Sequence, residues 1–239
     1  EVLQRTTYKA LYNLLDNYCL QTGVREVVTS EERREEWAFI ESIFQKDCMN
    51  FYYSKTLSRL NHFYKENIFK DKKYKINGIQ RNNLSFYLNK INWKLLSKGI
   101  ETNFHGDLQF DNIILNNNGK IFKLIDWRSD FNGNTERGDL YYDLAKLYAG
   151  CMLPYNQIKK GNFSFAYENQ EIIYDFPINN NLVDAKYEIE EFVIKKNLDL
   201  KKIKIISSLI YLNMCPLHAN PFSNLLYFLG ISKLAETLK

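Results

Sequence analysis

The segment Asn103-Phe104-His105-Gly106-Asp107-Leu108-Gln109-Phe110-Asp111-Asn112 carries the pattern H-G-D-x-x-x-x-N, and a second acid follows in Leu124-Ile125-Asp126-Trp127-Arg128. Phosphoryl transfer from a nucleotide asks for such a set. One carboxylate orients an attacking hydroxyl and accepts its proton, while an Asn and a second Asp hold Mg²⁺ on the phosphates. Hard oxygen ligands suit Mg²⁺, and 3 His with 4 scattered Cys argue against zinc. The plainer alternatives are that Asp107 caps a turn, that Asn112 is a turn residue and that His105 braces the loop. Asp111 reads as solvated. Arg128 and Asp130 either pair with each other or face substrate.

These residues need elements to hold them. Thr102 to His105, Ile113 to Leu115 and Ile121 to Ile125 are β-branched and apolar, which predicts short strands. Asn116-Asn117-Asn118-Gly119 predicts a hairpin turn between the last two. The two carboxylates and the amide are then presented from adjoining loops at one edge of a small β structure. A helix is expected from Asp139 to about Gly150, with Leu140, Leu144, Leu147 and Tyr148 on one side, and a second hairpin from Phe163–Tyr167 and Ile172–Phe176. Three helices complete the chain, starting near Asn181, Asp199 and Asn220-Pro221.

Upstream, helical stripes run over Val2 to about Leu20, from a Ser30 cap through Trp37, Ile40, Ile43 and Phe44, from Ser54 through Leu57, Leu60 and Phe63, and over Leu84, Leu88 and Ile91. A Lys-rich turn separates the last two. Residues 1–98 therefore read as almost wholly helical, and 99–239 as the part that holds the chemistry, predicted strands included, within one continuous α+β domain dominated by helices.

Composition limits the alternatives. With 45% hydrophobic and 25% charged residues the chain is globular, which excludes collagen-like, disordered and coiled-coil classes. A net charge of +4 from 32 cations and 28 anions is too small and too well mixed to indicate nucleic acid, so no nucleic acid partner is expected. The 17 Tyr and 16 Phe are spread along the helices and do not form a base-stacking platform. No apolar run is long enough to span a membrane, and no C-x-x-C pair occurs, which predicts a reduced, cytoplasmic protein with no membrane partner.

His105-Gly106-Asp107 through Asn112, followed by Ile125-Asp126-Trp127, resembles the catalytic loop and metal-binding segment of the aminoglycoside phosphotransferase and choline kinase group, which has the protein-kinase-like fold. Gly138-Asp139-Leu140-Tyr141-Tyr142-Asp143-Leu144-Ala145 is similar to the helix start that follows those motifs in that group. The resemblance implies Asp107 as catalytic base, His105 as a loop-shaping residue of the catalytic set, Asn112 and Asp126 as Mg²⁺ and nucleotide ligands, and Asp143 as a supporting acid. It further implies ATP as co-substrate and a small-molecule hydroxyl as acceptor, on a sugar, an amino alcohol or an aminoglycoside. A role in surface polysaccharide precursor synthesis is in keeping with it. The acceptor pocket would be formed by the C-terminal helices.

Upstream of His105 the chain offers only Gly23, Gly78 and Gly99, widely separated, and nothing like a V-A-I-K strand. The resemblance therefore covers a C-lobe, and a nucleotide-clamping N-lobe is expected upstream of Glu1. The competing readings are a degenerate helical substitute for that lobe and a catalytically inactive kinase-like binding or scaffolding module.

Overall fold

The computed structural model describes residues 14–16, 41–115 and 122–239. Its elements are mixed α+β and mostly helical. Residues 41–49 are helical and run through a π-helical turn, Asn50–Ser54, into α1 (Lys55–Glu66) without a break. The sequence pattern divides this stretch into two helices. Ser54, expected to start the second, sits in helical conformation with no side-chain cap bond, so the chain continues. Phe44, Phe51, Leu60 and Phe63 are buried along it, whereas Ile43 faces solvent.

The expected Lys-rich turn is a β-hairpin, β1 (Tyr74–Ile76) and β2 (Ile79–Arg81), so the N-terminal part is not wholly helical. Asn77 (φ 43°) and Gly78 (φ 80°) form a two-residue turn between the paired Ile76 and Ile79. Asn-Gly is the strongest short hairpin signal because both positions need positive φ. The lysines in the strands hid it, since β1 alternates buried Tyr74 and Ile76 around exposed Lys75. After α2 (Leu84–Lys90) and α3 (Trp93–Leu96) comes the short strand β3 (Glu101–Thr102).

A 3-10 turn, Phe110–Asn112, leads into β4 (Ile113–Leu115), which pairs antiparallel with β5 (Phe122–Leu124) as expected. The turn proposed at Asn116–Gly119 lies outside the described residues. Next, β6 (Gly138–Asp139) pairs with β3 and runs directly into α4 (Leu140–Met152), followed by α5 (Tyr155–Lys159). The second expected hairpin is present as β7 (Ser164–Glu168) and β8 (Glu171–Asp175), turning at Asn169 and Gln170. Through β8 it joins the first hairpin in one four-stranded sheet of order β2-β1-β8-β7, with β1 and β8 parallel.

The three C-terminal helices are α6 (Asn180–Lys195), α7 (Leu200–Met214) and α8 (Phe222–Thr237); Asn179 and Asp199 cap the first two, accepting from Leu182 N and Lys202 N, while α8 follows Pro221 with no side-chain cap bond. α7 and α8 are apolar nearly all round, as helices packed on several sides must be. α7 packs against both α4 and α8, and Tyr211 on α7 donates its hydroxyl to the Ala149 carbonyl of α4 at 2.7 Å. Among the described residues no helix is long and apolar enough to cross a membrane, and Cys48, Cys151 and Cys215 are buried free thiols.

At Gly230 α8 packs tightly against α7. A Cβ there would stand 2.7 Å from Leu212 Cδ2 and 3.2 Å from the Ser208 carbonyl oxygen. On an exposed helix, Gly→Ala gains about 1 kcal/mol. Here Gly230→Ala is expected to lose about 1–3 kcal/mol through overpacking. Urea unfolding of a double-mutant cycle with Leu212→Ala checks this, because the Gly230→Ala penalty should vanish in the Leu212→Ala background.

Candidate active site

Residues on one face of α4 hold the site. The helix starts because Asp139 caps it, its side chain accepting from Tyr141 N at 3.1 Å. The same fully buried carboxylate accepts from Ile100 N at 2.9 Å and from the Tyr52 hydroxyl at 2.7 Å. It thereby ties α4 to the long N-terminal helical segment and to the chain entering β3. Burial pushes the Asp139 carboxyl above its ordinary range, against the opposing pull of the Tyr52 hydroxyl and of Lys202.

One turn further on, fully buried Asp143 receives the loop. Its two oxygens accept from His105 N and Gly106 N, each at 2.8 Å. Gly106 has φ 78°, and a Cβ there would lie 2.5 Å from Arg128 Cβ and 2.9 Å from the Phe104 ring, so the position requires glycine. Another turn along α4, Lys146 places its ammonium 2.6 Å from Asp107 Oδ1. Residues 139, 143 and 146 recur at helical spacing on one face. Lys146 was not identified from the sequence, although its position three residues after Asp143 was a usable signal.

His105 closes the loop from inside. Its Nδ1 accepts from Asp107 N at 3.2 Å and its Nε2 lies 2.9 Å from the Ile125 carbonyl oxygen, a pattern that fits the neutral ring protonated on Nε2. Burial lowers its pKa, with the Ile125 carbonyl and the Asp107 carboxylate opposing. This arrangement supports a loop-shaping imidazole. Asn112 is buried and donates its amide to the Asp107 carbonyl oxygen at 2.9 Å and to Asp107 Oδ2 at 3.3 Å.

Asp126 follows the point where the β5 end is sewn to the loop: Ile125 N donates to Asn112 O at 3.0 Å, and Arg128 N donates to His105 O at 2.8 Å. Asp126 has φ 60° and an exposed side chain. The structure thus brings Asp107, Asn112 and His105 into direct contact, and sets Asp126 beside them on an adjoining segment. Among the described residues no group of three or more His, Cys, Asp or Glu could hold a metal ion. Arg128 donates to the Tyr142 hydroxyl at 3.3 Å, while Asp130 accepts from Gly133 N at 2.8 Å, so Arg128 turns toward the protein face that carries Tyr142.

Two outcomes follow from this geometry. Asp143→Ala strands two buried backbone N–H groups and is expected to cost about 3 kcal/mol, measured by urea unfolding. The depressed His105 pKa means that the unfolded chain binds more protons than the native state as pH falls below its ordinary value of 6.5, so this residue's contribution to stability is present at neutral pH and lost on acidification. Melting temperature against pH should therefore fall less steeply below about 6.5 in His105→Gln than in the parent protein.

Comparison with known families gives a match to the model described as Endoribonuclease XendoU over residues 1–114, just under half of the 239-residue chain. No curated protein and no solved structure matches. The match corrects the sequence-based expectations. It points to an enzyme family that acts on RNA, not to an aminoglycoside phosphotransferase or choline kinase, and it conflicts with ATP-dependent transfer to a small-molecule acceptor and with the exclusion of nucleic acid. The physical reason lies in what the motif specifies. A carboxylate that takes a hydroxyl proton beside a phosphate serves any phosphate ester, and Asp107 with Asn112 does not determine which ester. The chain is similar over residues 1–114 to a family of endoribonucleases, and that stretch contains His105, Asp107 and Asn112.

Proposed function

We propose that this protein cleaves RNA phosphodiester bonds at the site formed by Asp107 and Lys146. The observation that carries the reading is the 2.6 Å pair between Lys146 Nζ and Asp107 Oδ1, with side chains 12% and 26% exposed; Asp107 lies on a loop within the stretch similar to endoribonucleases, and Lys146 on α4 beyond it. RNA supplies its own nucleophile, the 2′-hydroxyl beside each phosphate. Asp107 takes the proton of that hydroxyl as its oxygen bonds to phosphorus. The bond from phosphorus to the 5′-oxygen of the next nucleotide breaks, that oxygen takes a proton from water, and the proton held by Asp107 neutralises the hydroxide so formed and restores the carboxylate.

Lys146 has two tasks. Its 2.6 Å contact holds the Asp107 carboxylate in position, and its ammonium neutralises charge that builds on the phosphate oxygens. Asn112, donating to both the backbone carbonyl and the carboxylate of Asp107, fixes the direction in which that carboxylate points. His105 keeps the loop in place through its neutral ring. The groups of the protein that act in the step itself are Asp107 and Lys146. The amide that the sequence pattern assigns to Mg²⁺ is engaged in orienting Asp107, and no step is routed through a metal.

The test is cleavage of an end-labelled single-stranded RNA, with the all-deoxy strand of the same sequence as control. The parent protein should cut the RNA and leave the DNA intact. Asp107→Asn, purified identically, should be slower by about 10²-fold or more, the usual contribution of a general base. Equal cleavage by Asp107→Asn, or an uncut RNA, would overturn the assignment.

A further inference from the structure

Next to the Asp107–Lys146 pair lies a cleft walled by four cations, Lys55 and Arg59 from α1, Arg128 from the segment after β5, and Lys146 itself. Two of them, Lys55 and Arg128, set their charged heads over aromatic rings. The Lys55 ammonium sits 3.8 Å from the Phe51 ring centre, and the Arg128 guanidinium lies 6.0 Å from Phe51 and 5.9 Å from Tyr142. Phe51 and Tyr142 are themselves buried and packed edge to face at 4.9 Å, so they fix the cations without offering a face for a base. Among the described residues, Lys55, Arg59 and Arg128 form no ion pair.

We propose that this cleft is a phosphate subsite, holding a backbone phosphate of the RNA strand adjacent to the one attacked at Asp107. The inference rests on the RNA reading of that site and adds where the strand runs. Four cations line one cleft whose other lining residues are apolar, aromatic or Asn213, with no acid among them; Asp107, outside the lining, pairs with Lys146, and Asp130, which also acts on Lys55, accepts from Gly133 N. Such a concentration of like charge is costly unless an anion sits among it. The Lys55 ammonium registers that cost, being pushed down to about 8 by burial and by Arg128 and Arg59. A phosphate diester brings the missing charge and oxygens that accept from both guanidinium and ammonium groups. Because Lys146 belongs both to the cleft and to the Asp107 pair, an anion bound there lies within one side chain of the reacting group.

The experiment uses a fluorescent 2′-O-methyl RNA oligonucleotide, which has no free 2′-hydroxyl and is not cut. Binding is followed by anisotropy from about 50 to 300 mM KCl, where each neutralised phosphate contributes about 0.7 to the slope of log affinity against log salt. Lys55→Gln and Arg59→Gln should each lower that slope by about 0.7, while Lys75→Gln, on the β1 strand and paired with Glu171, should leave it unchanged. Melting temperatures confirm that each variant is folded. Unchanged slopes in both cleft variants, an equal loss in Lys75→Gln, or absence of binding would overturn the subsite. So would inorganic phosphate that binds as tightly as the oligonucleotide, since the cleft would then be a site for free phosphate. Reduced slopes with no RNA cleavage would support the subsite and remove the cleavage reading, whereas cleavage with unchanged slopes would do the reverse.

Discussion

The structure around Asp107 depends on two carboxylates buried one turn apart on α4. Asp139 and Asp143 are both fully buried, and neither is there to face water. A buried carboxylate is tolerated only when donors surround it, and each here is met by backbone N–H groups from elsewhere in the chain. Asp139 collects Ile100 N, Tyr141 N and the Tyr52 hydroxyl; Asp143 collects His105 N and Gly106 N. The cost of leaving either unsatisfied forces the loop and β3 onto the start of α4. The position of Asp107 follows, because the two residues before it, His105 and Gly106, are both bound to Asp143.

The same helix then delivers the cation. Lys146 meets Asp107 from a helix unbroken over the turn from Asp143, and α7 supports that helix from behind through Tyr211 and Ser207, which donate to α4 carbonyl oxygens at 2.7 and 3.0 Å. The C-terminal helices contribute to the chemistry in this way, as the support that keeps one helical face in register. A loop alone would not hold a carboxylate, an amide and an ammonium in mutual contact, since each contact would then have to offset its own ordering entropy.

Much of the local structure was legible in the sequence. The β4–β5 pair, the β7–β8 hairpin and the starts of α4, α6, α7 and α8 follow from turn residues, caps and apolar spacing acting over a few residues. The continuous helix through Asn50–Ser54 was not, because a π-helical turn has no composition of its own. The β1–β2 hairpin carried its signal in Asn77-Gly78, but its lysine-bearing strands read as a surface turn, and their partner β8 lies about ninety residues away. Within the site, His105, Asp107 and Asn112 were identifiable as a set. The motif does not by itself point to one substrate class, because a carboxylate beside a phosphate would suit an ATP γ-phosphate and an RNA diester alike.

What the sequence determined by itself was chemical: an acid, an amide and an imidazole at fixed spacing, a second acid after a hairpin, and caps that start the helices. These depend on covalent order and on backbone preferences within a turn or two. Only the tertiary structure decided which distant groups join them. Lys146 reaches Asp107 through the rotation of α4, and Lys55 and Arg59 reach the cleft because a helix from the N-terminal half packs beside it. Sequence alone cannot give those meetings, since they arise from burying apolar faces against one another, a non-directional force whose outcome is set by the packing of the whole chain.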